Sequence, residues 1–250
     1  MDVSILGSGG GAPSRARETS CVLVRDDNSA LLLDIGTGAR RLIADPSLLE
    51  GVEELQVVLT HFHFDHVCRL PYLPWFCDSA TIWSPGKWLY DRDSADILES
   101  LRRPPVAPSD FTDTFPIKEL SAGSQTIGAF EVRASPQPRH WAPSAGLRIN
   151  DEVAFVTDTP YEPSSARLAE GVTHLFHEAW SSSRAPLYPD RDATAADAAR
   201  VAVEAGARNL TLIHLNPNLE DLSILLDDAA AIFERVALGE DGMVLPAAPA

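Results

Sequence analysis

The chain has 250 residues, 45% hydrophobic and 22% charged, with a formal net charge of −16. This is the composition of an ordinary globule with enough chain for a sizeable core, not of a disordered segment. The acidic excess argues against a polyanionic partner such as tRNA, whereas a small anion can still reach a cationic metal site.

Val3–Leu6 reads as a strand closed by the glycine turn Gly7-Ser8-Gly9-Gly10-Gly11. No βαβ unit follows it, so a dinucleotide loop is rejected. Cys21–Arg25 and Ala30–Ile35 form a hairpin around Asp26-Asp27-Asn28. Gly38–Ala44 is a short helix stopped near Pro46. Gln56–Leu59 is a buried strand leading into His61, and Thr81–Trp83 is another strand. Leu89, Ile97, Leu98 and Leu101 give Lys87–Leu101 helical spacing. Proline-rich Arg103–Pro108 is a surface loop. Further strands are expected at Phe130–Ala134, Leu147–Ile149 and Val153–Val156, then a helix at Ala166–Glu170 and a strand at His174–Phe176. Ala193–Ala205 is an alanine-rich helix, Leu210–Ile213 a strand ending at His214, and Leu222–Val236 a helix. Val244-Leu245 adds a short strand, and Pro246–Ala250 frays. Two packed sheets flanked by helices would bury these runs.

The three cysteines, Cys21, Cys68 and Cys77, suggest neither a disulfide framework nor a zinc knot. The N-terminus lacks a basic region and a long apolar run. No window approaches the roughly 18 apolar residues of a membrane span. The expectation is a cytoplasmic protein without membrane contact, a homodimer being left open.

The informative segment is Thr60-His61-Phe62-His63-Phe64-Asp65-His66. In an extended start His61 and His63 point the same way, because strand side chains alternate. If the chain then turns into a helix, Asp65 and His66 face back toward the same space, and one loop can feed two neighbouring metal sites. Imidazole with carboxylate suits Zn²⁺ best, with Mn²⁺ or Fe²⁺ as alternatives.

His-x-His-x-Asp-His after a hydrophobic strand resembles the metallo-β-lactamase fold superfamily. Its later motifs follow in order: Asp34-Ile35-Gly36-Thr37-Gly38, His140 with Gly146-Leu147-Arg148-Ile149, Thr157-Asp158-Thr159, His177-Glu178-Ala179 and Leu212-Ile213-His214. The resemblance is strongest to the ribonuclease Z-like phosphodiesterase branch. It implies one α/β domain over residues 1–250, a four-layer αββα sandwich. By the same resemblance His61, His63 and His140 bind a first metal, Asp65, His66 and His214 a second, and Asp158 bridges two Zn²⁺ ions. A bridging water or hydroxide would attack a small ester-like substrate, with Asp65 and Asp158 as the catalytic carboxylates.

Asp34 is read either as a support for the metal loop or as a simple turn cap. His177 and Glu178 lie near the site but are not ligands, and His174 is a strand-edge residue. Of Phe62, Phe64, Trp75, Phe76, Trp83, Trp88 and Trp141, some line a pocket and more are core. Arg103 and Arg139 are read as solvated charge.

Two departures bear on the substrate. Ribonuclease Z carries a long tRNA-gripping insertion between its third metal-binding His and the bridging Asp, whereas His140 and Asp158 are only 18 positions apart here. Ribonuclease Z also has a His that helps protonate the leaving group, and Asp192 stands in its place. An ionised Asp is a poor proton donor at neutral pH. The expectation is therefore a small-molecule phosphodiester, with nucleic acid disfavoured. The alternatives are a thioesterase or lactonase, a mononuclear iron oxygenase, and a non-catalytic metal-binding protein.

Overall fold

The computed structural model describes residues 1–107 and 115–246. Its first half runs β1 (Asp2–Gly7), β2 (Cys21–Asp26), β3 (Ser29–Leu33), α1 (Arg40–Ala44), β4 (Leu55–Val58), α2 (Phe64–Val67), β5 (Ala80–Ser84), α3 (Gly86–Tyr90), α4 (Ser94–Arg102), β6 (Ile117–Glu119) and β7 (Gly123–Ile127). The second runs β8 (Phe130–Gln137), β9 (Ser144–Ile149), β10 (Val153–Val156), α5 (Pro163–Leu168), β11 (His174–Glu178), α6 (Ala195–Ala205), β12 (Asn209–Ile213), α7 (Ser223–Ala230), β13 (Val236–Leu238) and β14 (Val244–Pro246).

These strands form two seven-stranded sheets among the described residues, ordered β14-β1-β2-β3-β4-β5-β6 and β13-β12-β11-β10-β9-β8-β7. Each sheet is antiparallel on one side and parallel on the other, the change falling at β3 in the first and β10 in the second. Alternation assigns the two faces of each strand. Val22, Val24, Leu31 and Leu33 point between the sheets, where they meet Phe130, Phe155 and Phe176. Cys21, Leu23, Ala30 and Leu32 point outward onto Leu42 of α1 and Leu98 of α4. On the other outer face Ala154, Val156, Leu175 and Leu210 pack against the alanine side of α6 and against α5 and α7. Strands apolar on both faces are what a doubly covered sheet requires, and each large side chain buried there contributes about 1.5–3 kcal/mol. The architecture is the expected αββα sandwich.

Several expectations need correction. Lys87–Leu101 is two helices, because Asp91 turns left-handed (φ 52°) after α3. Glu119 of β6 then accepts from the backbone N–H of Lys87 at 2.9 Å and of Ser94 at 2.7 Å, tying down both helix starts. The last predicted helix stops at Ala230, and Val236 instead pairs with Leu210 as β13, a strand that the sequence pattern does not announce. The edge strands β6 and β7 were also unforeseen. The helix expected at Ala166–Glu170 begins at Pro163, and α6 begins at Ala195 because Thr194 and Asp197 form a capping box. Of the proline-rich loop, Arg103–Val106 is exposed while Ala107 is buried, and Pro108 lies outside the described residues, as do residues 247–250. His174 opens β11, which is flanked on both sides by other strands, and its Nε2 lies 2.8 Å from the Pro246 carbonyl.

Candidate metal centre

The loops that follow β3, β4, β10 and β12 converge at one end of the sandwich, where parallel strands end and α/β proteins commonly build sites. After β4 the chain stays extended through His63 (ψ 147°) and then turns into α2, which swings Asp65 and His66 back beneath His61. Asp34, Asp158 and His214 each sit just past a strand in left-handed backbone, with φ of 59°, 54° and 50°. Such conformations are uncommon outside glycine and mark strain accepted at a site. Gly10 explains part of the opening glycine turn: a Cβ there would lie 2.4 Å from the His214 ring. Gly11 donates its N–H to Asp65 Oδ2 at 2.7 Å.

All seven residues proposed as ligands come together. His61, His63, His140 and Asp158 each place one ligand atom within 4.8 Å of the others, and Asp65, His66 and His214 do the same. Asp158 touches both groups. Its Oδ1 lies 3.2 Å from His140 Nε2 and 3.7 Å from His61 Nε2, and its Oδ2 lies 3.1 Å from His66 Nε2 and 3.5 Å from His214 Nε2. Asp65 Oδ2 is 3.3 Å from the Nε2 atoms of both His66 and His214. His61 Nε2 is fully buried with no hydrogen-bond partner among the described residues. An orphaned imidazole nitrogen aimed at carboxylates, in a mixed His and Asp donor set, fits a divalent cation.

Four of the imidazoles have a polar neighbour behind them. His66 Nδ1 lies 2.7 Å from Asp34 Oδ2, and Asp34 Oδ1 also accepts from the Thr60 N–H at 2.8 Å. Asp34 thus supports the metal loop rather than merely capping a turn. His214 Nδ1 lies 3.3 Å from Glu178 Oε2, and His61 Nδ1 lies 3.0 Å from the Thr60 hydroxyl. His140 Nδ1 faces the Arg191 carbonyl at 3.1 Å and Asp192 Oδ1 at 3.0 Å.

The electrostatics follow from this packing. Burial, with His66 alongside, drives His61 well below the usual imidazole range. Burial would also lower His66 and His214, but the carboxylates around them outweigh it and raise both well above that range. The same imidazoles hold Asp65 and Asp158 well below the ordinary carboxylate range despite burial. Glu178 is pushed up to about 7, chiefly by burial.

Glu178 is more central than its sequence suggested. Its carboxylate accepts from the Asp158 N–H and from the Ala193 N–H, both at 2.7 Å, and so ties three loops together. Beside the cage lies a cavity of about 180 Å³ lined by Trp141, Trp180 and Tyr188 with His63, His140 and Asp192. Of the aromatics singled out in the sequence only Trp141 is there. Phe62, Phe76, Trp83 and Trp88 pack against the cores, and Phe64 and Trp75 are exposed. Trp180 and Tyr188 carried no sequence signal, since neither belongs to a metal motif. Arg139 and Arg103 pair with Glu162 and Glu99 at the surface.

Comparison with known proteins agrees with this geometry. The profile of the family described as "Anti-Pycsar protein Apyc1" matches residues 1–188. Ribonuclease Z from Prochlorococcus marinus (strain MIT 9313) is 28% identical over 320 aligned positions, covering 100% of this chain and 98% of that one. The metallo-β-lactamase fold protein YhfI from Bacillus subtilis superposes with a TM-score of 0.82 at 21% identity, covering 98% and 99% of the two chains. The short form of human tRNase Z does so with a TM-score of 0.76 at 20% identity, covering both chains fully (100% each). The chain therefore belongs to the Apyc1 family and is a ribonuclease Z-like hydrolase of the metallo-β-lactamase fold.

Proposed function

We propose that the chain is a dinuclear phosphodiesterase acting on a small substrate. His61, His63 and His140 would hold one divalent cation, Asp65, His66 and His214 a second, and Asp158 both, with zinc the best match to this donor set. The observation that carries the reading is Asp158, whose two oxygens face the two histidine groups separately. Bound there, such a pair acidifies water and stabilises the anion that develops at phosphorus. Asp65 and Asp158, kept ionised by the surrounding imidazoles, would hold the cations and orient that water. Asp34, Glu178 and Thr60 keep the imidazoles from turning.

The small-substrate reading rests on the 180 Å³ cavity and the net charge of −16. It also rests on the segment from His140 to Asp158, which is taken up by the β9–β10 hairpin and leaves no room for an RNA-gripping arm. RNA is the second reading, carried by the name of the Prochlorococcus relative. The test is hydrolysis of a panel with Zn²⁺ or Mn²⁺ added: bis(p-nitrophenyl) phosphate, an RNA oligonucleotide, an acyl thioester and a lactone. Turnover of the small phosphodiester is expected. An inert phosphodiester beside an active thioester or lactone would overturn the assignment, and preference for the RNA would overturn the size argument. One tightly bound iron per chain would point to an oxygenase instead.

A further inference from the structure

The two halves of the cage are not backed equally. In the second, His66 is hydrogen-bonded to the Asp34 carboxylate at 2.7 Å, and His214 Nδ1 has the Glu178 carboxylate 3.3 Å away as an ion-pair neighbour without a hydrogen bond. In the first, among the described residues, His61 has only the Thr60 hydroxyl at 3.0 Å. His63 has no hydrogen bond to either ring nitrogen among the described residues. The carboxylate behind the first half is Asp192, whose Oδ1 lies 3.0 Å from His140 Nδ1.

Asp192 is only 5% exposed, and His140 is the sole ion-pair partner of its carboxylate among the described residues. A buried carboxylate with one partner is expensive to keep unless a charge compensates it. Its backbone is fixed on both sides: the Asp192 N–H donates to the Tyr188 carbonyl at 2.9 Å, and the next N–H, of Ala193, donates to Glu178. The loop is thus in register with the cage. Asp192 meets the ring nitrogen that faces away from Asp158, leaving Nε2 turned inward. The Arg191 carbonyl, 3.1 Å from the same Nδ1, already sets the tautomer, and a carboxylate beside that N–H adds the charge that makes the other nitrogen a stronger donor to metal.

We infer that Asp192 is a positioning residue that sets cation affinity in the first half of the cage, and that this half is the weaker, exchangeable one. The inference rests on the two-cation reading above. The residue standing in the place of ribonuclease Z's leaving-group His thus serves differently here, gripping a ligand and donating no proton.

The test titrates the metal-free full chain with Co²⁺, read by calorimetry and by the visible absorption of the bound ion. Wild type is expected to take two equivalents, one more weakly. In Asp192→Ala the weak equivalent should lose about tenfold or more in affinity, with its absorption altered, while the tight one is unchanged. Asp192→Asn, of the same shape, should show a smaller loss in the same equivalent, and it decides the question if the alanine variant does not fold. Asp34→Asn should weaken the other equivalent. If wild type binds two equivalents and Asp192→Asn and Asp192→Ala bind both as tightly, the inference falls while the two-cation reading stands. It also falls if the variants keep both ions and lose turnover only on esters with poor leaving groups, which would make Asp192 a proton donor. A wild type that takes up no metal overturns both.

Discussion

His61 and His66 leave the same short loop and are both completely buried, yet their surroundings drive them in opposite directions. His61 is backed by a hydroxyl, and burial disfavours its charged form, whereas His66 is ringed by Asp34, Asp65 and Asp158, which favour its charged form against burial. The difference shows that one ligand set can be built as two unlike halves. The second half is a buried ion network that helps hold the sheets' ends together. Both halves open on the cavity, the first through His63 and His140 and the second through Asp65 and His214, but the first has fewer charged neighbours of its own and depends more on the cation it would bind.

Asp158 is where the halves meet, so its loss should have the largest effect. Asp158→Ala is expected to weaken both metal equivalents and to reduce phosphodiester turnover by about 10³-fold or more, which corresponds to about 4 kcal/mol of barrier. Metal content and steady-state rates check this, and a variant that keeps one tight equivalent and measurable turnover would place the junction elsewhere. Next comes stability. His66→Ala leaves the buried carboxylates of Asp34 and Asp158, and the partly exposed Asp65, short of a partner and should cost the metal-free fold about 3–5 kcal/mol. His63→Ala should cost less than about 1 kcal/mol. Equal losses in urea unfolding would erase the distinction between the halves.

The effect of pH is smaller. His66 and His214 protonate more readily in the fold than in the unfolded chain, where His titrates near about 6.5. Their contribution is therefore fully present below that pH and is lost as pH rises through their raised folded values. His61 and His63 are lowered, so they contribute no stability that is lost as pH rises. The Tm of the metal-free protein should fall by a few degrees between pH 6.5 and 9, less so in His66→Ala and undiminished in His63→Ala. Metal-loaded protein should show no such fall, because the ion requires the deprotonated rings. The smallest effect is at the cavity rim. Trp141 is 61% exposed, with the Arg191 guanidinium 4.0 Å from its ring centroid. Trp141→Ala should raise KM several-fold and leave kcat unchanged, as for a contact made equally before and during reaction.

The sequence yielded different parts of the molecule for different reasons. Strands such as Cys21–Asp26 and Val153–Val156 were legible because burial on both faces leaves long apolar runs. The cage was legible because four donors fall within six residues and the remaining three are matched by ordered family motifs. Gly123–Ile127 was not, since an edge strand with one solvated face carries mostly polar residues. The division between α3 and α4 depends on Glu119, more than two dozen residues from Ser94. Val236 followed helical spacing, but pairing with β12 overrode that local preference. Glu178, Asp192 and Trp180 gain their significance only from neighbours far along the chain, and spacing says nothing of those.

The left-handed turn at His214 has a consequence of its own. Glycine would occupy that bend without effort, and the imidazole is there at an expense of about 1–3 kcal/mol in backbone freedom. Local comfort and chemical usefulness therefore pull against each other at the last residue of the cage. A descendant released from holding ions could relax at this hinge only after its neighbouring carboxylates, Asp158 and Glu178, were replaced as well, because the ring that strains the bend also answers their charge.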